Sequence, residues 1–279
     1  MKKYLARFVP NSIKPKLKQM YYFPIDLIYK LRGKNSLLPP ESLIFVGQGD
    51  FIEIGQIFKA YFIELANLQR TDKVLDVGCG IGRMAIPLTK YLSKEGGYWG
   101  FDIVKSGIDW CQSHISPRFN NFHFQHSDVY NSHYNPTGTV RAQNFRFPFN
   151  EESFDFVFLT SVFTHMLPSD LENYLSEISR VLKVGGKCLI TFFILNEESE
   201  NLINLGRSSL DFKDEIDGCL TINKDDPEFA LAYKEQFIID LFNKYGLEIS
   251  QPIHYGCWCS RNEFLTYQDL IIATKSNLN

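Results

Sequence analysis

An acidic strand end followed at once by three alternating glycines constrains this chain more than any other feature: Asp76-Val77-Gly78-Cys79-Gly80-Ile81-Gly82-Arg83. The run follows a hydrophobic stretch at residues 73–77 and precedes an apolar pattern at 83–92 that predicts a helix. Glycines at a strand-to-helix turn let the backbone reverse tightly and let a ligand approach the chain with no Cβ in the way. Two further acids close the next two extended segments, Asp102 in Tyr98-Trp99-Gly100-Phe101-Asp102 and Asp128 in His126-Ser127-Asp128. An acid about 20 residues past such a turn is placed to accept hydrogen bonds from ribose hydroxyls. A single aspartate there reads equally well as a helix cap. Three at successive strand ends, beside a glycine loop, favour a nucleotide-like ligand.

The rest of the chain supplies the frame. Phe51, Ile54, Phe58, Phe62 and Leu65 recur at helical spacing over residues 51–68. Strands are expected at 73–77, 98–101, 122–125, 154–159 and 187–193, and helices at 83–92, 106–115 and 169–182, the last opened by a Ser/Asp cap. Such alternation with short turns calls for a parallel, doubly wound sheet. A polar insert occupies residues 130–144, and residues 197–228 are too long and polar for a simple connection, which suggests a lid. A helix is expected over 229–245, stopped by Gly246. The closing runs 247–254 and 267–274 have no helix between them and should pair antiparallel, leaving one reversed strand. With 279 residues, 44% of them hydrophobic, the chain can bury one large core. The expected division is an N-terminal arm at 1–40 ending in Leu37-Leu38-Pro39-Pro40, then one domain over 41–279 carrying the insert and the lid.

Over roughly residues 50–275 the sequence resembles the class I S-adenosylmethionine-dependent methyltransferases, in the small-molecule, type 11/12 branch. The likeness rests on DVGCGIGR at 76–83, GFD at 100–102, SD at 127–128, FPFNEESFDFVFLTSVFTHML at 147–167 and EISRVLKVGGKCLITFF at 177–193. It implies an α/β, Rossmann-like, doubly wound and mostly parallel seven-stranded sheet with one antiparallel strand, and S-adenosyl-L-methionine as cofactor. By the same resemblance Asp76, Gly78, Cys79, Gly80 and Gly82 line the amino-acid portion of the cofactor, with Asp76 near its ammonium group. Asp102 would bind the ribose with Ile103 beside it, Asp128 and Val129 would flank the adenine, and Thr160 or Ser161 would face the methionine moiety. Members of the family commonly run straight from the adenine acid into the next motif. The insert at 130–144 departs from that pattern, as a surface loop or as a flap over cofactor or acceptor.

A hydroxyl acceptor is a poor nucleophile while protonated, so O-methylation wants a base within hydrogen-bond reach. His165, just past the fourth strand in Phe163-Thr164-His165-Met166, is the candidate, against the alternative of a packed structural histidine. His254, Tyr255, Trp258 and Arg261 on the closing segment are candidates for an acceptor wall, and Gly47-Gln48-Gly49-Asp50-Phe51 for a cover over the cofactor. The expected activity is O-methylation of a small metabolite, sugar or lipid-linked glycan. Methylation of nitrogen or carbon, which needs no base at His165, and a non-catalytic binding protein are the alternatives.

Charge and cysteines narrow the classes further. Residues 1–34 hold nine of the 29 Lys/Arg against one of the 32 acids, leaving 20 basic and 31 acidic side chains in the remainder. An acidic body argues against a broad nucleic-acid surface. In the arm Ile13, Leu17, Met20 and Tyr21 recur at helical spacing among lysines, so it either docks on the domain or touches an anionic membrane surface. The six cysteines are scattered without a CxxC pair, which points to reduced thiols, a cytoplasmic setting and no metal site.

Overall fold

The computed structural model describes residues 37–47 and 49–277. The helices expected in the arm, and Gln48, lie outside the described residues. Aspartate opens the first helix for a local reason: the Asp50 carboxylate accepts the Ile52 and Glu53 amides at 2.9 and 2.8 Å, capping α1 (Phe51–Glu64). The chain then runs through β1 (Lys73–Val77), α2 (Ala85–Leu88), β2 (Gly97–Asp102), α3 (Lys105–His114) and β3 (Phe122–His126). After the insert come β4 (Phe154–Leu159), α4 (Pro168–Val181), β5 (Leu182–Phe192), β6 (Ile194–Leu195) and α5 (Glu197–Asn204). Next are β7 (Asp214–Ile216), β8 (Cys219–Thr221), β9 (Leu231–Lys234) and α6 (Glu235–Lys244), and the chain closes on β10 (Leu247–Ile249) and β11 (Asp269–Lys275).

Seven strands form one sheet in the order β10-β11-β5-β4-β1-β2-β3. Only β11 runs against its neighbours, pairing antiparallel with both β10 and β5. Side chains on a strand alternate between faces, and here both faces are covered. Leu75, Val77, Val157 and Leu159 join α4 and α6 in one cluster, while Val74, Phe156 and Phe158 join α1 and α3 in the other. Phe62 of α1 is fully buried against Phe156 and Phe158, with ring centroids at 5.4 and 4.3 Å. Strands apolar on both faces explain why these runs read as continuous hydrophobic stretches.

Several boundaries differ from expectation. The helix at 83–92 contracts to α2, because a helix begun at residue 83 would need Pro87 to donate an amide it lacks. Leu167 and Pro168 open α4 with no side-chain cap, and the Asp170 carboxylate instead accepts the Gln143 amide at 2.8 Å. The helix expected from 229 begins at Glu235, since residues 231–234 pair with β6 and β8. The polar stretch 197–228 is not structureless: α5, β7 and β8 lie in it, and β6-β9-β8-β7 make a small second sheet. No helix among the described residues is long and apolar enough to cross a membrane.

Asp269, fully buried at the start of β11, pins this second layer to the first. Its carboxylate accepts the Ile194 and Gly256 amides, the Trp258 indole N–H at 2.7 Å and Arg261 Nη1 at 3.0 Å. Removing Asp269 leaves Arg261 only the exposed Glu198 carboxylate at 2.9 Å and orphans two buried amides and the indole N–H, a loss of about 3–5 kcal/mol. Asp269→Ala should therefore lower stability by that order in denaturant unfolding and open the 250–268 segment to limited proteolysis before the rest of the chain. A stability loss under about 1 kcal/mol would remove Asp269 from this role.

Candidate cofactor and acceptor site

The parallel register places the carboxyl ends of β1, β2 and β4 side by side, the position at which open α/β sheets bind ligands. The turn after β1 is built on its neighbour: the Gly78 and Cys79 amides donate to the Phe101 carbonyl at 2.9 and 3.1 Å. Asp102 ties the same loop from the end of β2, one carboxylate oxygen accepting the Gly80 amide and the other the Val104 amide, each at 2.7 Å. Two glycines are required by contact as well as by conformation. At Gly78 (φ +83) a Cβ would stand 2.5 Å from Val162, and at Gly80 (φ +57) 2.5 Å from Val46.

A cavity of about 1200 Å³ opens along this edge. Sites for a single drug-sized ligand run to roughly 300–1,000 Å³, so there is room for a donor and a small acceptor together. Asp76, Gly78, Cys79, Gly80, Asp102, Ile103, Val129, Thr160, Ser161 and His165 all line it. A surface depression at residues 146–151 and Arg180 is lined by none of the glycine-loop residues.

Two cofactor candidates fall outside the cavity. The Cβ position of Gly82 faces Ile115 and Cys111 at 2.9 and 3.1 Å, so this glycine serves the packing of the loop on α3. Asp128 is exposed and turned to the insert, its carboxylate accepting the Thr139 hydroxyl at 2.7 Å and the Asn135 amide at 3.3 Å. The four acceptor-wall candidates are also placed elsewhere. Trp258 and Arg261 are buried in the Asp269 network, and Tyr255 lies 4.8 Å under the Arg261 guanidinium. His254 pairs its backbone with Leu270 in both directions. Thr266, Tyr267 and Gln268, later on the same segment, line the cavity instead.

Residues 75–190 match the methyltransferase domain of the type 11 family. The fold is similar to that of the PH0226 protein from Pyrococcus horikoshii OT3, at 18% identity and a TM-score of 0.57, covering 84% of this chain and 95% of that one. It is similar also to magnesium protoporphyrin IX methyltransferase from Synechocystis PCC 6803, determined with bound S-adenosylhomocysteine, at 15% identity and a TM-score of 0.51, covering 94% and 100%. Among curated sequences a similar protein is the tRNA N(3)-cytidine methyltransferase METTL2 of Gallus gallus, 25% identical over 186 residues, 65% of this chain. The match spans 44% of that relative, less than half its length.

Residues 75–190 are a methyltransferase domain of the type 11 family, on a fold shared with S-adenosylmethionine-dependent methyltransferases.

The methyltransferase cavity has two chemically distinct ends. At the glycine loop, Asp76 is fully buried with one oxygen bonded by the Tyr98 hydroxyl and the other, Oδ1, without a partner. Burial pushes its carboxyl up to about 8, with the Tyr98 bond acting downward and the neighbouring Asp102 upward. Burial raises Asp102 as well, opposed by the amides it accepts. A buried carboxyl with an orphaned oxygen fits the ammonium of the cofactor's amino-acid portion, and the hydrogen-bonded Asp102 retains lone pairs for ribose hydroxyls.

The other end is roofed by the insert and the lid, which meet over His165. The Ser132 amide donates to Glu228 at 2.7 Å, and His133 pairs with Asp226 at 2.7 Å. Tyr134 presents its ring edge-on to His165 at 5.5 Å between centroids. His165 Nδ1 lies 2.9 Å from the Glu228 carbonyl oxygen. A carbonyl only accepts, so Nδ1 carries the proton of the neutral ring and Nε2 keeps its lone pair. Burial holds this imidazole below its ordinary value, so it is neutral at pH 7. Arg83 also lines the cavity, with no role legible in the glycine run it ends, and Tyr134 and Glu228, which carry no local signal, reach the cavity through long-range packing.

An Asp76 carboxyl near 8 is protonated at pH 7 and should ionise when a cation arrives beside it. Binding of S-adenosylhomocysteine at pH 7 should then release up to one proton, read by calorimetry in buffers of different ionisation enthalpy. The release should fade above about pH 9 and disappear in Asp76→Asn. Proton uptake on binding, or a release unchanged in that variant, would contradict the placement.

Proposed function

We propose that this enzyme methylates an oxygen of a small molecule, a metabolite, sugar or lipid-linked glycan, in the chamber between residues 130–144 and the lid. The observation that carries this reading is the Nδ1–H to Glu228 carbonyl bond of His165, which leaves an unprotonated Nε2 on a residue lining the cavity. The cofactor supplies a methyl group already activated on sulfonium sulfur. The chain has then to align, to exclude water and to take up one proton. Asp76 and the glycine loop hold the amino-acid portion of the cofactor, Asp102 with Ile103 the ribose, and Val129 the adenine. Thr160 and Ser161 face the methionine chain, with the Ser161 amide fixed on Thr191 and its hydroxyl on Gln268. His165 Nε2 would take up the hydroxyl proton that the acceptor oxygen loses when it receives the methyl group.

A small acceptor is favoured over nucleic acid by the charge of the walls. Asp76, Asp102, Asp170 and Glu228 line the cavity, and Arg83 is the sole Lys or Arg among its described lining residues. A phosphate backbone demands several cations. The opposing reading has its own support, in the tRNA methyltransferase that matches part of this chain and in the basic residues of 1–34. Incubating the full chain with labelled cofactor against total tRNA, and against sugars and phenols, separates the two. A cytoplasmic location, with the arm as a peripheral membrane contact, completes the proposal.

His165→Asn keeps a donor near the Nδ1 position, so the lid contact survives while the base is lost. The variant should bind S-adenosylhomocysteine as wild type does and slow the chemical step by roughly 10²–10⁴-fold. In wild type the rate should rise with pH through a value below 6.5 and then level off, because burial depresses the imidazole. That limb should be missing in the variant. Turnover within a few-fold of wild type would exclude His165 as the base and favour an amine or enolate acceptor.

A further inference from the structure

Among the described residues, Arg83 is a buried cation without an anion. Its side chain follows the last glycine of the loop, is 9% exposed and lines the cavity. Nη2 donates to the Val46 and Gly47 carbonyls, and the guanidinium lies 5.5 Å from the Phe51 ring centroid. Nε is buried with no hydrogen-bond partner. No described carboxylate lies within ion-pair distance of it. The acid that acts on it electrostatically, Asp50, is committed to capping α1 through two amides. Neutral carbonyls do not balance a buried charge, and such groups are ordinarily paired or close to something that pairs them.

The same carbonyls belong to a segment that covers the glycine loop. A Cβ on Gly80 would strike Val46 at 2.5 Å and touch Phe45 at 3.9 Å. Arg83 thus joins the floor of the cofactor end to its cover. S-Adenosylmethionine carries one ammonium and one carboxylate on the same carbon. The glycine loop offers one buried acid with a free oxygen at its start, Asp76, and one unpaired buried cation at its end, Arg83.

We propose that Arg83 binds the carboxylate of the cofactor's amino-acid portion, and that this contact holds the residue 44–47 cover closed over the ligand. Asp76 and Arg83 then read the two charges of that portion, one from each end of the loop.

Decarboxylated S-adenosylmethionine, which keeps the ammonium and lacks the carboxylate, isolates the contact. Its affinity and that of S-adenosylmethionine are measured by calorimetry on wild type, Arg83→Met and Arg83→Lys. Wild type should prefer the carboxylate-bearing ligand on the order of 10- to 100-fold, the worth of a charged hydrogen bond. Arg83→Met should lose that preference by weakening S-adenosylmethionine alone, with the decarboxylated ligand held within a few-fold. Arg83→Lys, a point charge without the planar fork, should restore part of the preference. Equal weakening of both ligands in Arg83→Met would make Arg83 a strut for the cover and nothing more. Absence of discrimination in wild type, with S-adenosylmethionine still bound, would overturn the proposal while leaving the cofactor assignment intact. Should Arg83→Met fail to fold, Arg83→Gln keeps a donor for the Val46 carbonyl and is held to the same outcomes.

Discussion

Two carboxylates buried at the ends of neighbouring strands set the terms for the rest of this molecule. Asp76 and Asp102 lie beside one another at the carboxyl edge of β1 and β2, and among the described residues neither makes a salt bridge. The arrangement persists because Asp102 receives two backbone amides and Asp76 a tyrosine hydroxyl. It remains unsatisfied in one respect, the orphaned Oδ1 of Asp76. Hydrogen-bonding groups and charges that the chain leaves open at one place are the complement of a ligand. A ribose diol and an ammonium group, both carried by S-adenosylmethionine, would complete them.

The His165 end of the cavity is organised differently. No regular strand of the main sheet supplies its roof, which comes from two segments far apart in sequence, the 130–144 insert and the start of the 227–229 turn. The insert closes on itself through Asp128, whose carbonyl accepts the Thr139 and Val140 amides, and through an Asn131 carboxamide that takes the amides of His133 and Tyr134. Its ends are thereby fixed, and its tip is free to carry His133 and Tyr134 to the cavity. One end of the cavity is thus built by the sheet edge and the other by loops pinned on that edge.

How much of this was legible in the sequence follows from how local each determinant is. The glycine turn, the acids at the strand ends and the strand–helix alternation are written within a few residues, and β11 as the one reversed strand followed from the missing crossover before it. Asp128 had the right position and the wrong neighbours: Thr139 and Asn135, brought back by the insert, claim its carboxylate. Trp258 and Arg261 look like exposed recognition residues in a polar closing segment. Their burial depends on Asp269, whose charge inside β11 no periodicity reveals. Residues 231–234 carry an apolar pattern that suits helix or strand, and pairing with β6 and β8 decided it.

A crystal structure of the full chain with S-adenosylhomocysteine tests the central claim most directly, that the carboxyl edge of β1 and β2 holds the donor and presents it to the chamber under the insert. The ribose hydroxyls should lie within hydrogen-bond distance of the Asp102 carboxylate and the ligand's sulfur on the side of the cavity walled by His165. A ligand bound away from the glycine loop, or one whose sulfur faces away from His165 and the insert, would contradict it.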